Sequence, residues 1–144
     1  MSNSSAAIIC FYNEDVSYRL AHKKKIRQWL LSIIEQEGKT SGAISYIFCS
    51  DEYLAEINAK YLNASYFTDV ITFDYTENDC VSGDIFISID RVKDNAKLYN
   101  QSCCRELLRV ILHGVLHLCG YKDKTTNEAA EMREKEEHYL QKFI

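Results

Sequence analysis

The chain has 144 residues, of which 47% are hydrophobic and 26% charged, and its formal net charge is −4. These values exclude wholesale disorder and a basic coat over the whole surface, and they suit one domain with a sizeable core. No apolar run approaches the ~20 residues of a membrane span, and residues 1–9 lack the features of a secretory signal. We therefore expect a cytoplasmic protein with no membrane partner, folded as a single domain over residues 1–144.

The first half of the chain predicts two strands and two helices. Ala6–Tyr12 and Ala43–Cys49 are rich in β-branched and aromatic residues, which is typical of strands. Between them, from about His22 to Glu37, apolar residues recur with the spacing of one helix face. Ser50 and the two acidic residues after it predict the start of a short second helix. The buried face of that helix is expected to carry Leu54, Ile57 and Tyr61.

The middle of the chain predicts a pair of strands and a third helix. Asp69–Tyr75 and Gly83–Ile89 read as strands, and the loop Thr76–Ser82 is short enough to make them antiparallel. Asp90 is expected to cap the helix that follows. Its buried residues are expected to be Val92, Ala96 and Tyr99.

The last part of the chain predicts two more helices. Ser102 is expected to cap a helix that runs to about Cys119 and is apolar nearly all round, so we expect it to be buried. A capping box formed by Thr125 and Glu128 begins the final helix. The residues expected on its buried face are Ala129, Met132, Tyr139, Leu140 and Phe143. Helices therefore pack around one mixed sheet of about four strands, which predicts an α+β fold, with α/β as the alternative.

Six cysteines raise the question of a disulfide framework. They are Cys10, Cys49, Cys80, Cys103, Cys104 and Cys119. No C-x-x-C pair exists, two cysteines are adjacent and no export signal is present. We therefore expect reduced thiols that serve mostly as small core residues.

Two histidines on the most apolar predicted helix form the candidate functional site. His113 and His117 are four positions apart, so both imidazoles lie on one helix face and can reach one metal ion. Gly120 ends the helix and lets the chain turn back, so that Asp123 arrives as a third candidate ligand. The alternative is a pair of core histidines that bind nothing, but the glycine and the carboxylate favour a metal. Three protein ligands are typical of a catalytic zinc site.

Zinc peptidases carry the motif H-E-x-x-H, whose glutamate acts as the general base. Gly114 stands at that position here and cannot act as a base. This argues against ordinary zinc proteolysis, although a metal held here would still activate water.

The segment from His113 to Tyr121 resembles the signature H-G-x-L-H-L-x-G-Y-D-H of the YbeY-type endoribonucleases, the rRNA maturation factors. Asn58-x-x-Tyr61 followed by Thr68–Phe73 resembles the family's N-x-x-Y-R…P-T-D-V-L-S-F. Gly83–Ser88 resembles its L-G-D-I-x-I-S, and Glu128-Ala-x-x-Met132 also fits. The resemblance covers the chain from about Asn58 to its end.

This resemblance implies a zincin-like metallohydrolase domain that holds one zinc ion. It also implies a single-strand-specific endoribonuclease that acts in rRNA maturation and ribosome quality control. Its partners would be ribosomal RNA or ribosomal particles, and not DNA. His113 and His117 fall on two of the family's zinc ligands. Asp123 falls where the third histidine stands, and aspartate is a competent zinc ligand.

A second departure from the family concerns phosphate recognition. Leu62 stands where the family carries an arginine associated with activity, a residue type suited to phosphate. Basic residues further along the chain are candidates to contact RNA instead. These are Arg105, Arg109, Lys122 and Lys124.

No catalytic residue is assigned by the sequence. Asp69 and Asp84, each at the start of a predicted strand, are candidates to orient water or a histidine. Turn or edge-strand hydrogen bonds are an equally good explanation for both.

Two other functions remain open beside the nuclease: a small zinc metallopeptidase, and a non-catalytic ribosome-assembly factor stabilised by its metal. The Leu62 departure favours the second of these.

Overall fold

The computed structural model of the protein describes residues 8–62, with the backbone alone for Leu62, and residues 68–143. The elements in this part of the chain are β1 (Ile9–Asn13), α1 (Lys23–Gln36), β2 (Thr40–Cys49), α2 (Asp51–Leu62), β3 (Val70–Asp74), β4 (Cys80–Ser88), α3 (Ile89–Leu98), α4 (Cys103–Leu118) and α5 (Thr126–Leu140). The predicted start of the first strand, Ala6, lies outside the described residues. None of these five helices has the length and apolar character needed to cross a membrane.

The described strands form one mixed sheet in the order β1-β2-β4-β3. β1 pairs with β2 and β2 with β4 in parallel, whereas β3 and β4 are antiparallel, as their short connection predicted. The α+β fold with a four-stranded mixed sheet is therefore confirmed. β3 is an edge strand, so the side of the sheet beyond it is open to other groups.

One face of the sheet packs against α4. Gly114 of α4 lies against Ile85 of β4, and the Tyr46 hydroxyl of β2 donates a hydrogen bond to the Ile111 carbonyl over 2.8 Å. Ile85, Ile111 and Tyr46 are fully buried. The prediction of a buried helix is confirmed. α4 packs against the sheet and also against α1, α3 and α5, so it must be apolar on most sides.

The opposite face of the sheet is covered by α2. Leu54 and Ile57 of α2 pack with Cys49 and Ile71 in a second, smaller cluster. Tyr61, expected in that buried face, is instead 60% exposed. It lies near the end of α2, where the helix extends past the small cluster. Its ring packs edge-on against Phe73, and Lys60 Nζ lies over the ring 5.2 Å from its centroid.

Side-chain caps begin four of the described helices. Ser50 caps α2, as predicted, by accepting from the Tyr53 amide over 3.1 Å. Ser102 caps α4 by accepting from the Arg105 amide, and Thr125 and Glu128 form the full capping box of α5, as predicted. The predicted cap of α3 is wrong by two residues. Ser88, the last residue of β4, accepts the Arg91 amide, and Asp90 lies inside the first turn.

Several predicted core residues are exposed. Tyr99 is 57% exposed because it stands just beyond the end of α3, and Ala129 is exposed on the outer side of α5. All six cysteines are free thiols, as expected, but most are not core residues. Only Cys49 is buried, whereas Cys10 and Cys119 are half-buried and Cys80, Cys103 and Cys104 are exposed.

Candidate metal centre

The two histidines of α4 point their Nε2 atoms at each other. His113 and His117 are one helical turn apart, and their Nε2 atoms are 3.0 Å from one another. Both rings are partly buried on the side of α4 that faces the edge strand β3. The two Nε2 atoms therefore converge on one point, as the i, i+4 spacing in the sequence predicted.

A tight helix end carries the third candidate ligand to that point. Gly120 has φ +110°, and the Gly120 and Tyr121 amides donate to the carbonyls of His117 and Leu116. This pattern closes α4 and reverses the chain, because glycine tolerates the left-handed conformation. Asp123 Oδ2 then lies 3.3 Å from His113 Nε2 and 3.4 Å from His117 Nε2.

The other nitrogen of each ring is already engaged. His113 Nδ1 lies 2.6 Å from Glu136 Oε2, and His117 Nδ1 lies 2.9 Å from the Tyr121 carbonyl oxygen. A carbonyl or ionised carboxylate only accepts, so each Nδ1 carries the proton and donates. In the tautomer with the proton on Nδ1, the lone pair of each ring is on Nε2, the nitrogen that faces the carboxylate of Asp123.

This donor set fits a zinc ion. The two Nε2 atoms and the Asp123 oxygen each present a lone pair to the same point. Such lone pairs repel one another unless a cation lies between them. The separations of Asp123 Oδ2 from the two Nε2 atoms, 3.3 and 3.4 Å, match the edge of a tetrahedron with zinc bonds of ~2.0–2.1 Å, which is about 3.3–3.4 Å. The Nε2–Nε2 separation of 3.0 Å is slightly shorter than this edge. Among the described residues, His113, His117 and Asp123 form the group that could hold a metal ion.

A groove of about 750 Å³ opens over these donors, between α4 and the edge strand β3. Asp69 lies inside it, just before β3, and burial raises its pKa although Arg109 opposes that shift. Asp84 is not in the groove. It is the middle residue of β4 rather than its first, pairs with Phe73 on the face that α2 covers, and accepts from the Tyr75 hydroxyl.

The four cations predicted to contact RNA occupy different environments. Lys122 and Lys124 are exposed at the rim of the groove. Arg105 lies in a neighbouring cavity of about 350 Å³, where it pairs with Glu137. Arg109 lines the groove but is surrounded by carboxylates. The Leu62 side chain lies outside the described part of the chain.

Arg109 is held by buried acidic residues that the sequence analysis did not single out. Its Nη2 lies 2.6 Å from Glu106 and 3.9 Å from Asp69, and its Nη1 lies 3.2 Å from Glu136. Burial disfavours the charge of Arg109, but these carboxylates outweigh it and raise its pKa. Glu136 shares the buried face of α5 with Met132 and Tyr139. An acidic residue within an apolar helix face is a sequence feature that could have indicated a buried functional carboxylate.

Comparison with known proteins identifies close relatives. The family model described as Endoribonuclease YbeY matches residues 9–144. The chain is 48% identical over 132 residues to Endoribonuclease YbeY of Flavobacterium johnsoniae, covering 92% of this chain and 95% of that one. It is 52% identical over 133 residues to Endoribonuclease YbeY of Cytophaga hutchinsonii, covering 92% and 93%. A solution structure of a Thermotoga maritima protein matches with a TM-score of 0.67 and 29% identity, covering 94% of this chain and 88% of that one.

Proposed function

This chain belongs to the YbeY endoribonuclease family, and we propose that it cleaves single-stranded segments of ribosomal RNA with the help of one zinc ion. The reaction would serve rRNA maturation and ribosome quality control, and its partners would be ribosomal RNA or ribosomal particles in the cytoplasm. The observation that carries the proposal is the convergence of His113, His117 and Asp123 on one point at the floor of an open groove.

In this proposal, the two imidazoles and the carboxylate hold the ion. Zinc, when bound, supplies Lewis acidity and lowers the pKa of water. Glu136 and the Tyr121 carbonyl keep each imidazole in the tautomer whose Nε2 can bind a metal. The negative charge of Asp123 makes the site a weaker Lewis acid than three neutral imidazoles would.

We assign proton transfer to Asp69. It is the candidate carboxyl group that lines the same groove as the metal ligands, and its raised pKa makes it a better proton acceptor than an ordinary aspartate. Asp84, the other candidate, lies on the face of the sheet that α2 covers. Substrate phosphates would meet Lys122 and Lys124 at the groove rim, since Arg105 and Arg109 already pair with carboxylates.

The two alternative functions make different demands on the structure. A metallopeptidase of the H-E-x-x-H type needs a base at position 114, but Gly114 packs against Ile85 of the sheet and faces away from the groove. A non-catalytic assembly factor would keep the metal and its support without needing Asp69.

The test uses purified protein incubated with a single-stranded ribosomal RNA segment and, separately, with casein. We expect RNA cleavage that a chelator abolishes and added zinc restores, with casein left intact. Asp69→Asn should lose cleavage, whereas Asp84→Asn, the matched control on the neighbouring strand, should retain it. Metal binding without any RNA cleavage would favour the assembly factor, and metal-dependent cleavage of casein would favour the peptidase.

A further inference from the structure

Glu136 is a buried carboxylate that contacts a metal ligand without being one itself. It lies on α5, is 4% exposed, and comes from a different helix from the two histidines. Its Oε2 lies 2.6 Å from His113 Nδ1, the ring nitrogen opposite the one that faces the candidate metal point. A carboxylate on this nitrogen fixes the ring's rotation and its tautomer, and it increases the basicity of the other nitrogen.

The second oxygen of Glu136 is fixed as well. Oε1 accepts from Arg109 Nη1 over 3.2 Å, while the same guanidinium donates to both oxygens of Glu106 over 3.2 Å and 2.6 Å. Arg109 therefore compensates the buried charge of Glu136 and holds it against His113. Burial of an acidic side chain is unfavourable without such a partner, so the arrangement is a built support rather than a chance contact.

We propose that Glu136 is a positioning residue for the metal site, through which packing of α5 onto α4 sets metal affinity. The proposal rests on the metal-binding part of the proposed function, but not on RNA cleavage. It implies that the C-terminal helix contributes to the site without supplying a ligand.

Glu106 provides a matched control. It is 2% exposed, it is an acidic residue of the same type, and it binds the same guanidinium as Glu136. Within the described part of the chain, Glu106 makes no hydrogen bond to His113 or His117. Loss of either carboxylate disturbs Arg109, but only loss of Glu136 also releases His113.

The experiment compares Glu136→Gln with Glu106→Gln. The zinc dissociation constant of each is measured against a coloured competing chelator, and the melting temperature is measured for the metal-free proteins. We expect both variants to melt below the wild type, because each weakens a buried ion pair. Zinc affinity should fall about 10- to 100-fold in Glu136→Gln and change by less than about threefold in Glu106→Gln.

Cobalt(II) provides a readout that a merely structural role would not move. Its visible absorption depends on ligand geometry, so the spectrum should shift in Glu136→Gln and superimpose on the wild type in Glu106→Gln. Glu136→Asp, which keeps the charge but shortens the side chain, should also weaken zinc binding, and it serves if the glutamine variant does not fold.

Equal zinc affinities for the Glu136 and Glu106 variants, with unchanged cobalt spectra, would overturn the proposal. A wild type that binds zinc tightly but leaves RNA intact would contradict the proposed function and leave the positioning role of Glu136 standing.

Discussion

The close packing of Gly114 against the sheet predicts the effect of a larger residue at this position of α4. A Cβ at residue 114 would lie 2.8 Å from Ile85 Cγ2 and 2.9 Å from Ile85 Cδ1, closer than real side chains approach. Ile85 is fully buried, so it has little room to move. Gly114→Ala should therefore push α4 away from β4, directly beside the metal ligand His113.

Two opposing effects determine the size of this change. Overpacking of a dense core costs about 1–3 kcal/mol, whereas replacing glycine by alanine inside a helix contributes about 0.5–1 kcal/mol of stability. The difference is a net loss of about 0–2.5 kcal/mol, which would lower the melting temperature by up to about 10 °C for a chain of this size.

A double-mutant cycle with Ile85→Ala tests the cause. Ile85→Ala removes the three carbons that the new methyl group would meet, and it should itself cost about 2–5 kcal/mol. In that background Gly114→Ala should become neutral or stabilising, because the overpacking is gone and the helix preference remains. Unfolding free energies come from urea titrations. If Gly114→Ala stabilises the otherwise wild-type protein, or destabilises both backgrounds equally, the clash does not govern this position.

Three further predictions follow from other contacts. Glu37 accepts hydrogen bonds from two tyrosine hydroxyls and a lysine. Burial disfavours its charged form, but these donors outweigh burial and lower the pKa of Glu37 below the ordinary 4.5. Glu37→Gln should thus destabilise the protein at pH 7, and the difference in urea unfolding should shrink as pH falls through that lowered pKa. Thr125→Ala removes the cap of α5 and should cost about 1 kcal/mol in the same assay. Lys122→Gln and Lys124→Gln should each lower the slope of log RNA affinity against log salt by about 0.7, with exposed Lys142→Gln as the unchanged control.

Local features of the site could be predicted from the sequence. The i, i+4 spacing of the histidines, the turn at Gly120 and the capping box at Thr125 each depend on neighbours within one or two helical turns. Such features survive in the fold because helix geometry alone sets them. The strands were also predicted, with bounds that differ by up to three residues at the ends that the structure describes.

Features that depend on packing could not be predicted. Glu136 and His113 are 23 residues apart, and only the docking of α5 onto α4 brings them together. The alternation of β4 places Asp84 and Ile85 on opposite faces, but the sequence does not say which face α4 covers. The sequence alone indicated that Arg109 was available to contact RNA, because its partners Glu106, Asp69 and Glu136 come close to it only in the folded protein.

Titration of metal-free protein with zinc, read by both metal binding and cleavage of single-stranded ribosomal RNA, tests the central claim most directly. We predict that cleavage rises with bound zinc and reaches its plateau at one ion per chain. Asp123→Ala, which lacks the third donor, should need a higher zinc concentration to reach the same occupancy. A plateau at two ions, cleavage that is complete before zinc is added, or an Asp123→Ala titration identical to that of the wild type would contradict a single zinc ion held by His113, His117 and Asp123.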